Sequence, residues 1–196
     1  MNPVEQGVVD IFYGEAEAIR EYLSEQKEVS FLNTAVTILN KNIVLAAGSF
    51  FETMICDGIQ KFADRAVGKD DHPVSQFLKN KAIKRQYHSY FRWDVANANH
   101  FYGLFGEQFK AQMERKILAD SKLEESVQAF LALGLLRNEL VHQNFAVFSL
   151  SQDASEIYAQ YKKAHTFVVT VLNELQAYAD ALQAKARLEA EAGMTA

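Results

Sequence analysis

The sequence predicts an all-α fold, an antiparallel helical bundle of four to five main helices with short additional helices. Three observations carry this. Only two prolines and nine glycines occur in 196 residues, too few turn formers for a strand-rich chain. Hydrophobic residues make up 49% of the chain and recur mostly at three- and four-residue spacing through its long segments. Only the middle, from Pro73 to about Gly106, is less regular. The length fits one domain over residues 1–196, with enough apolar side chains for a sizeable core.

The elements follow in order. Residues 3–28 read as an amphipathic helix with Pro3 at its start, its face made of Val8, Ile11, Phe12, Ile19 and Leu23. Gly7 and Gly14 weaken its first half. Residues 30–65 form a more apolar helix. Leu32, Val36, Leu39, Ile43, Ala47, Phe50, Met54 and Gly58 keep a helical period, and polar residues are confined to a narrow strip near Asn42, Ser49, Thr53 and Gln60. A helix of that kind belongs in the middle of a bundle. Residues 68–73 are a connection, and Pro73 opens a short helix reaching Lys84. Short helices and turns follow to Gly106. Residues 107–144 are helical with a break near Asp120, where Ser121 and Glu124 have the spacing of a capping box. The last long helix begins after Asp153 and is expected to fray over residues 184–196.

Charge and cysteine content narrow the setting. The net charge is −5 and the isoelectric point is near 5.6, which argues against a bulk nucleic-acid coat protein but leaves room for a local basic patch. The one cysteine, Cys56, rules out an internal disulfide and any Cys-pair metal site. Residues 1–5 lack the pattern of a signal peptide, and the longest nearly apolar run, residues 43–51, is too short to span a bilayer. A cytoplasmic protein with no membrane contact is expected.

The stretch that departs from the bundle pattern is Arg137-Asn138-Glu139-Leu140-Val141-His142. On a helical wheel Leu123, Val127, Phe130, Gly134 and Val141 line an apolar stripe. Glu125, Gln128, Glu139 and Gln143 make the polar face. Arg137 and Asn138 flank the centre of the apolar stripe instead, and His142 sits at its edge one turn beyond Asn138. A buried Arg needs a partner, a cleft or an interface. Two readings stand: a structural ion pair with a helix-end histidine, or a functional site. Glu52 lies on the apolar side of the second helix and wants a cation, either Arg137 or a neighbour such as Lys41.

These residues carry a resemblance. An Arg, a polar residue after it and a His separated from the Arg by four residues resemble the signature of HEPN domains. Ala47-Gly48-Ser49-Phe50-Phe51-Glu52 and the stretch Asn97-Ala98-Asn99-His100-Phe101-Tyr102-Gly103-Leu104-Phe105-Gly106 resemble the RiboL-PSP branch. The similarity spans residues 30–175 and leaves the N-terminal helix outside. It implies an HEPN-like bundle and a metal-independent endoribonuclease that acts as a homodimer, with Arg137, Asn138 and His142 catalytic and Glu52 supporting. It also implies a toxin or phage-defence setting, with an antitoxin or other neutralising protein as a further partner. The chemistry needs no cofactor. One His titrates near neutrality and serves as base or acid, and Arg supplies a bidentate phosphate clamp. The alternatives are a non-catalytic HEPN-like dimer that binds RNA, nucleotide or protein, and a helical interaction protein whose motif serves the interface.

Lys79, Lys81, Lys84, Arg85 and Arg92 place five positive charges in fourteen residues without an acid. Tyr87, Tyr90, Phe91 and Trp93 adjoin them. The basic run reads as an RNA-binding flank or a solvated face, and the aromatics mainly as core.

Overall fold

The computed structural model describes residues 7–68 and 72–194, with backbone alone for 193 and 194. Among these there are eight α-helices and one π-helical turn, and no strand. The helices are α1 (Val8–Glu25), α2 (Val29–Val67), α3 (Pro73–Leu78), α4 (Tyr87–Tyr90), α5 (Asn99–Gly103), α6 (Glu107–Leu118), α7 (Ser121–His142) and α8 (Ala154–Met194). The π-turn is Lys79–Ile83. The helix expected from Pro73 to Lys84 is therefore α-helical only to Leu78. Pro3, expected to start the first helix, lies outside the described residues.

The two longest helices, α2 and α8, run the same way. Phe51 stacks near Tyr161, Gln176 donates to the Gly58 carbonyl at 3.0 Å, and Gln183 donates to the Ala66 carbonyl at 2.9 Å. The contact is close because Gly58 has no side chain: a Cβ there would stand 2.3 Å from Leu172 Cδ2. Helix α7 runs against both. Gln160 reaches the Ala129 carbonyl, while Lys163 pairs with Glu125. Helix α6 also opposes α8, with Phe109 beside Tyr178 and Gln112 on Glu174.

The core lies between these helices. Phe51, Phe130, Tyr161 and Phe167 meet at its centre, and Phe91, Phe101 and Tyr102 extend it toward the middle segment. Burial of such large rings is the main stabilising term. In the middle segment Tyr87, Tyr90, Phe91, Phe101 and Tyr102 are buried, and Trp93 and Phe105 are partly so.

Several local details differ from the sequence expectation. Asp120, not Ser121, caps α7: its carboxylate accepts from the amides of Lys122 and Leu123. A carboxylate outside the first turn reaches those orphan amides and suits the helix dipole. Helix α8 stays helical to Met194, with every side chain described after Gln183 exposed. By length and composition α2 is long and apolar enough to cross a membrane, with a window of mean hydropathy 1.3. That is more than the run 43–51 indicated, because apolar residues continue beyond the isolated charges Lys41 and Glu52 that bound it. In this fold α1, α7 and α8 pack on it.

Candidate functional site

The site forms where α7 crosses α2. Two contacts fix the direction of the crossing. Arg137 meets Gly48 and Glu52, and Lys41 meets Phe145 just past the end of α7. The helices are therefore antiparallel here, and Lys41, Gly48 and Glu52, separated by seven and four residues, share the face of α2 turned to α7.

Arg137 is half-buried, and its stem lies directly over Gly48. A Cβ at position 48 would stand 2.8 Å from Arg137 Cγ. From there Arg137 Nη2 reaches Glu52 Oε2 at 3.4 Å, and Nη1 donates to Asn138 Oδ1 at 3.3 Å. The side chains are 26% and 40% exposed for Arg137 and Glu52, so the pair opens to solvent on one side. Glu52 thus pairs with Arg137 rather than with Lys41. A half-open pair is weak in itself, and its guanidinium can turn toward an incoming anion while its stem stays packed.

His142 is the last residue of α7 and is exposed. Among the described residues no hydrogen bond or ion pair engages its ring. It stands five residues beyond Arg137, about 140° around the helix. One chain brings Arg137, Asn138 and Glu52 together and leaves His142 outside that cluster.

Other residues shape the site that the sequence did not single out. Tyr87 is buried beside the Arg137–Glu52 pair. Burial, with the Glu52 charge adding to it, pushes its phenol far above the usual range, so it stays neutral. Cys56, one turn from Glu52, has its thiol pushed up to about 11 by burial and by the charges of Glu52 and Asp57. That disfavours the thiolate at neutral pH. One turn before Asn138, Gly134 admits the Trp93 ring. A Cβ there would fall 2.0 Å from Trp93 Cζ3. The glycines at 48 and 134 were visible in the sequence, but the large side chains that need the space come from distant segments.

The basic run is split by the fold. Lys79, Lys81, Lys84 and Arg85 are exposed on the π-turn and the loop after it, with no ion pair among the described residues. Arg85 takes a left-handed backbone, φ 64°. Arg92 faces Asp94 at 3.8 Å and lines a separate open hollow of about 520 Å³ with His100 and Lys110. Among the described residues no three His, Cys, Asp or Glu side chains gather as metal ligands.

Comparison with known proteins agrees with this architecture. The family model described as RiboL-PSP-HEPN matches residues 12–181, taking in most of α1, all of α2 to α7 and α8 as far as residue 181. Neither curated proteins nor solved structures yield a match. A match over that much of an all-α chain is decisive, and this protein belongs to the RiboL-PSP-HEPN family.

Proposed function

We propose that this protein is a metal-independent endoribonuclease that works as a homodimer. The observation that carries the reading is the division of labour on α7. Arg137 is held by Glu52 and Asn138 on one side of the helix, and His142 is free and exposed at its end. Cleavage by the RNA's own 2′-OH needs a base for that hydroxyl, an acid for the leaving 5′-oxygen and a cation for the phosphorane. His142 takes the proton from the 2′-OH, and a second His142 from the partner copy protonates the 5′-oxygen. Arg137 binds the non-bridging phosphate oxygens, and Asn138 holds the guanidinium in plane. The angle between Arg137 and His142 favours a cleft that draws on two chains. The exposed apolar residues Val141, Phe145 and Val147 at this end of α7, with Ile38 on α2, supply a surface for the second copy.

In this reading the protein acts in the cytoplasm as a toxin or phage-defence effector, restrained by an antitoxin or other neutralising protein. The second reading is an HEPN-like dimer that binds RNA or nucleotide without cleaving it. The occupied state of Arg137, already paired with Glu52, favours it.

Incubation of RNA with the wild type, His142→Ala and Arg137→Ala in the presence of EDTA separates the two. Cleavage by the wild type alone, leaving 2′,3′-cyclic phosphate ends, supports the nuclease. Equal cleavage by His142→Ala removes His142 from the mechanism, and RNA binding without cleavage by any form selects the second reading.

A further inference from the structure

Lys41 is the most buried charged side chain in the described core, with 2% of its surface exposed. Among the described residues no carboxylate lies within ion-pair distance of it. An ammonium taken out of water without an anion is strongly disfavoured unless other groups replace its hydration. Here two do so, and both belong to one residue. Lys41 Nζ donates to the Phe145 carbonyl oxygen at 2.6 Å and sits 4.9 Å from the centroid of the Phe145 ring.

Phe145 lies three residues after His142, inside the turn that ends α7. The turn's own bonds are short-range: Gln143 N donates to Glu139 O, and the amides of Val147 and Phe148 donate to Asn144 O. The amide of Ala146 donates to Asn144 Oδ1. These bonds shape the turn, but none ties it to the rest of the bundle. The described tether of the 143–146 segment to α2 is the Lys41 ammonium. Leu140 is buried on one side of His142, and the Phe145 carbonyl is gripped on the other. The histidine, which makes no bond of its own, is thereby fixed by its backbone on both sides.

We propose that Lys41 is a positioning residue for His142: its buried ammonium anchors the turn after α7 and so sets where the His142 ring is presented. A merely space-filling residue at this position would be apolar, as its neighbours Ile43, Val44 and Ala47 are. The charge is retained in a site where it is costly because the Phe145 carbonyl oxygen and ring face together replace part of its lost hydration. The catalytic consequence rests on the nuclease reading given above. The anchoring itself does not.

The test uses the full chain and the variants Lys41→Met, which keeps the stem and removes the charge, and Phe145→Ala, which keeps the carbonyl and removes the ring. Hydrogen exchange of the Val147 and Phe148 amides reads the anchor directly, and should rise about tenfold or more in Lys41→Met beyond any change in α8. The NMR signals of the His142 ring should move toward those of a free histidine in the same variant. Phe145→Ala should show a smaller change in both. In the nuclease assay Lys41→Met should lower kcat about tenfold with KM nearly unchanged, as expected for a misplaced proton-transfer group. If Lys41→Met does not fold, Lys41→Gln, which keeps a donor without charge, takes its place.

Unchanged exchange and an unchanged His142 signal overturn the proposal, whatever the activity. If the wild type cleaves no RNA, the nuclease reading fails, while the exchange and ring signals still decide the anchor.

Discussion

Arg137 lies across Gly48 so closely that a Cβ at that position would stand 2.8 Å from its Cγ and 3.3 Å from its Cβ. The second contact matters more, because Cβ is fixed to α7 and cannot swing away. In an open helix Gly→Ala would stabilise by about 1 kcal/mol. Here overpacking costs about 1–3 kcal/mol and wins. Gly48→Ala should therefore lower the urea midpoint modestly and separate Arg137 from Glu52; on the proposed nuclease reading it should also cut RNA cleavage more than it cuts stability. A variant as stable and active as the wild type would show that the two helices part without consequence.

Glu52→Gln isolates the other side of the pair. The carboxylate is 40% exposed, so its loss should change stability by less than about 1 kcal/mol. Its charge is one cause of the raised Cys56 thiol, after burial. Removing it should lower that thiol from about 11, with burial still holding it above its usual value of 9.0. The rate of Cys56 alkylation as a function of pH measures this. A curve that does not move places Glu52 too far away to act on it.

For the basic segment, Lys79, Lys81, Lys84 and Arg85 are exposed without ion pairs, whereas Arg92 faces Asp94. If RNA crosses this face, alanine at each of the first four should weaken binding similarly across sequences and reduce the salt slope by about one. Arg92→Ala should do less. Filter binding at several salt concentrations reads both. Slopes equal to the wild type in all five variants would make the segment a solvated face.

Asp10 joins α1 to α8 through Tyr158 and Lys162, the latter at 3.1 Å. Burial raises its carboxyl, but the hydrogen bonds from Tyr158 and Lys162 outweigh it and hold the group below its usual 3.8. A lowered folded value stabilises above the unfolded one and is lost as pH falls through the folded one. The docking of α1 should thus be constant near neutrality and weaken below about pH 4. Tyr13 of α1 stacks on Tyr158 of α8 with ring centroids 4.0 Å apart, so near-ultraviolet circular dichroism should report the docking, and Asp10→Asn should show the loosened state at neutral pH. A neutral-pH spectrum identical to the wild type would mean that Asp10 does not hold the helix.

The sequence alone determined the long helices, because a 3.6-residue period of apolar side chains and scarce Pro and Gly are local signals. It also marked Arg137 and Asn138 as out of place, since polar groups on an apolar stripe are visible on one helical wheel. Only the tertiary structure decided their partners. Arg137 chose Glu52 over solvent because Gly48 lets α7 approach α2 at that turn. Trp93 filled Gly134, and Lys41 turned to a carbonyl instead of a carboxylate. None of these pairings leaves a local trace, since each joins segments at least 41 residues apart. Asp120 was missed as the cap of α7 for a smaller reason: two adjacent residues could each cap, and the side-chain geometry settled which one did. The Arg-Asn-His stretch thus resolves into two parts, a guanidinium fixed against α2 and an imidazole free at the helix end. That separation follows from about 100° of rotation per residue, and from which face of α7 found a neighbour.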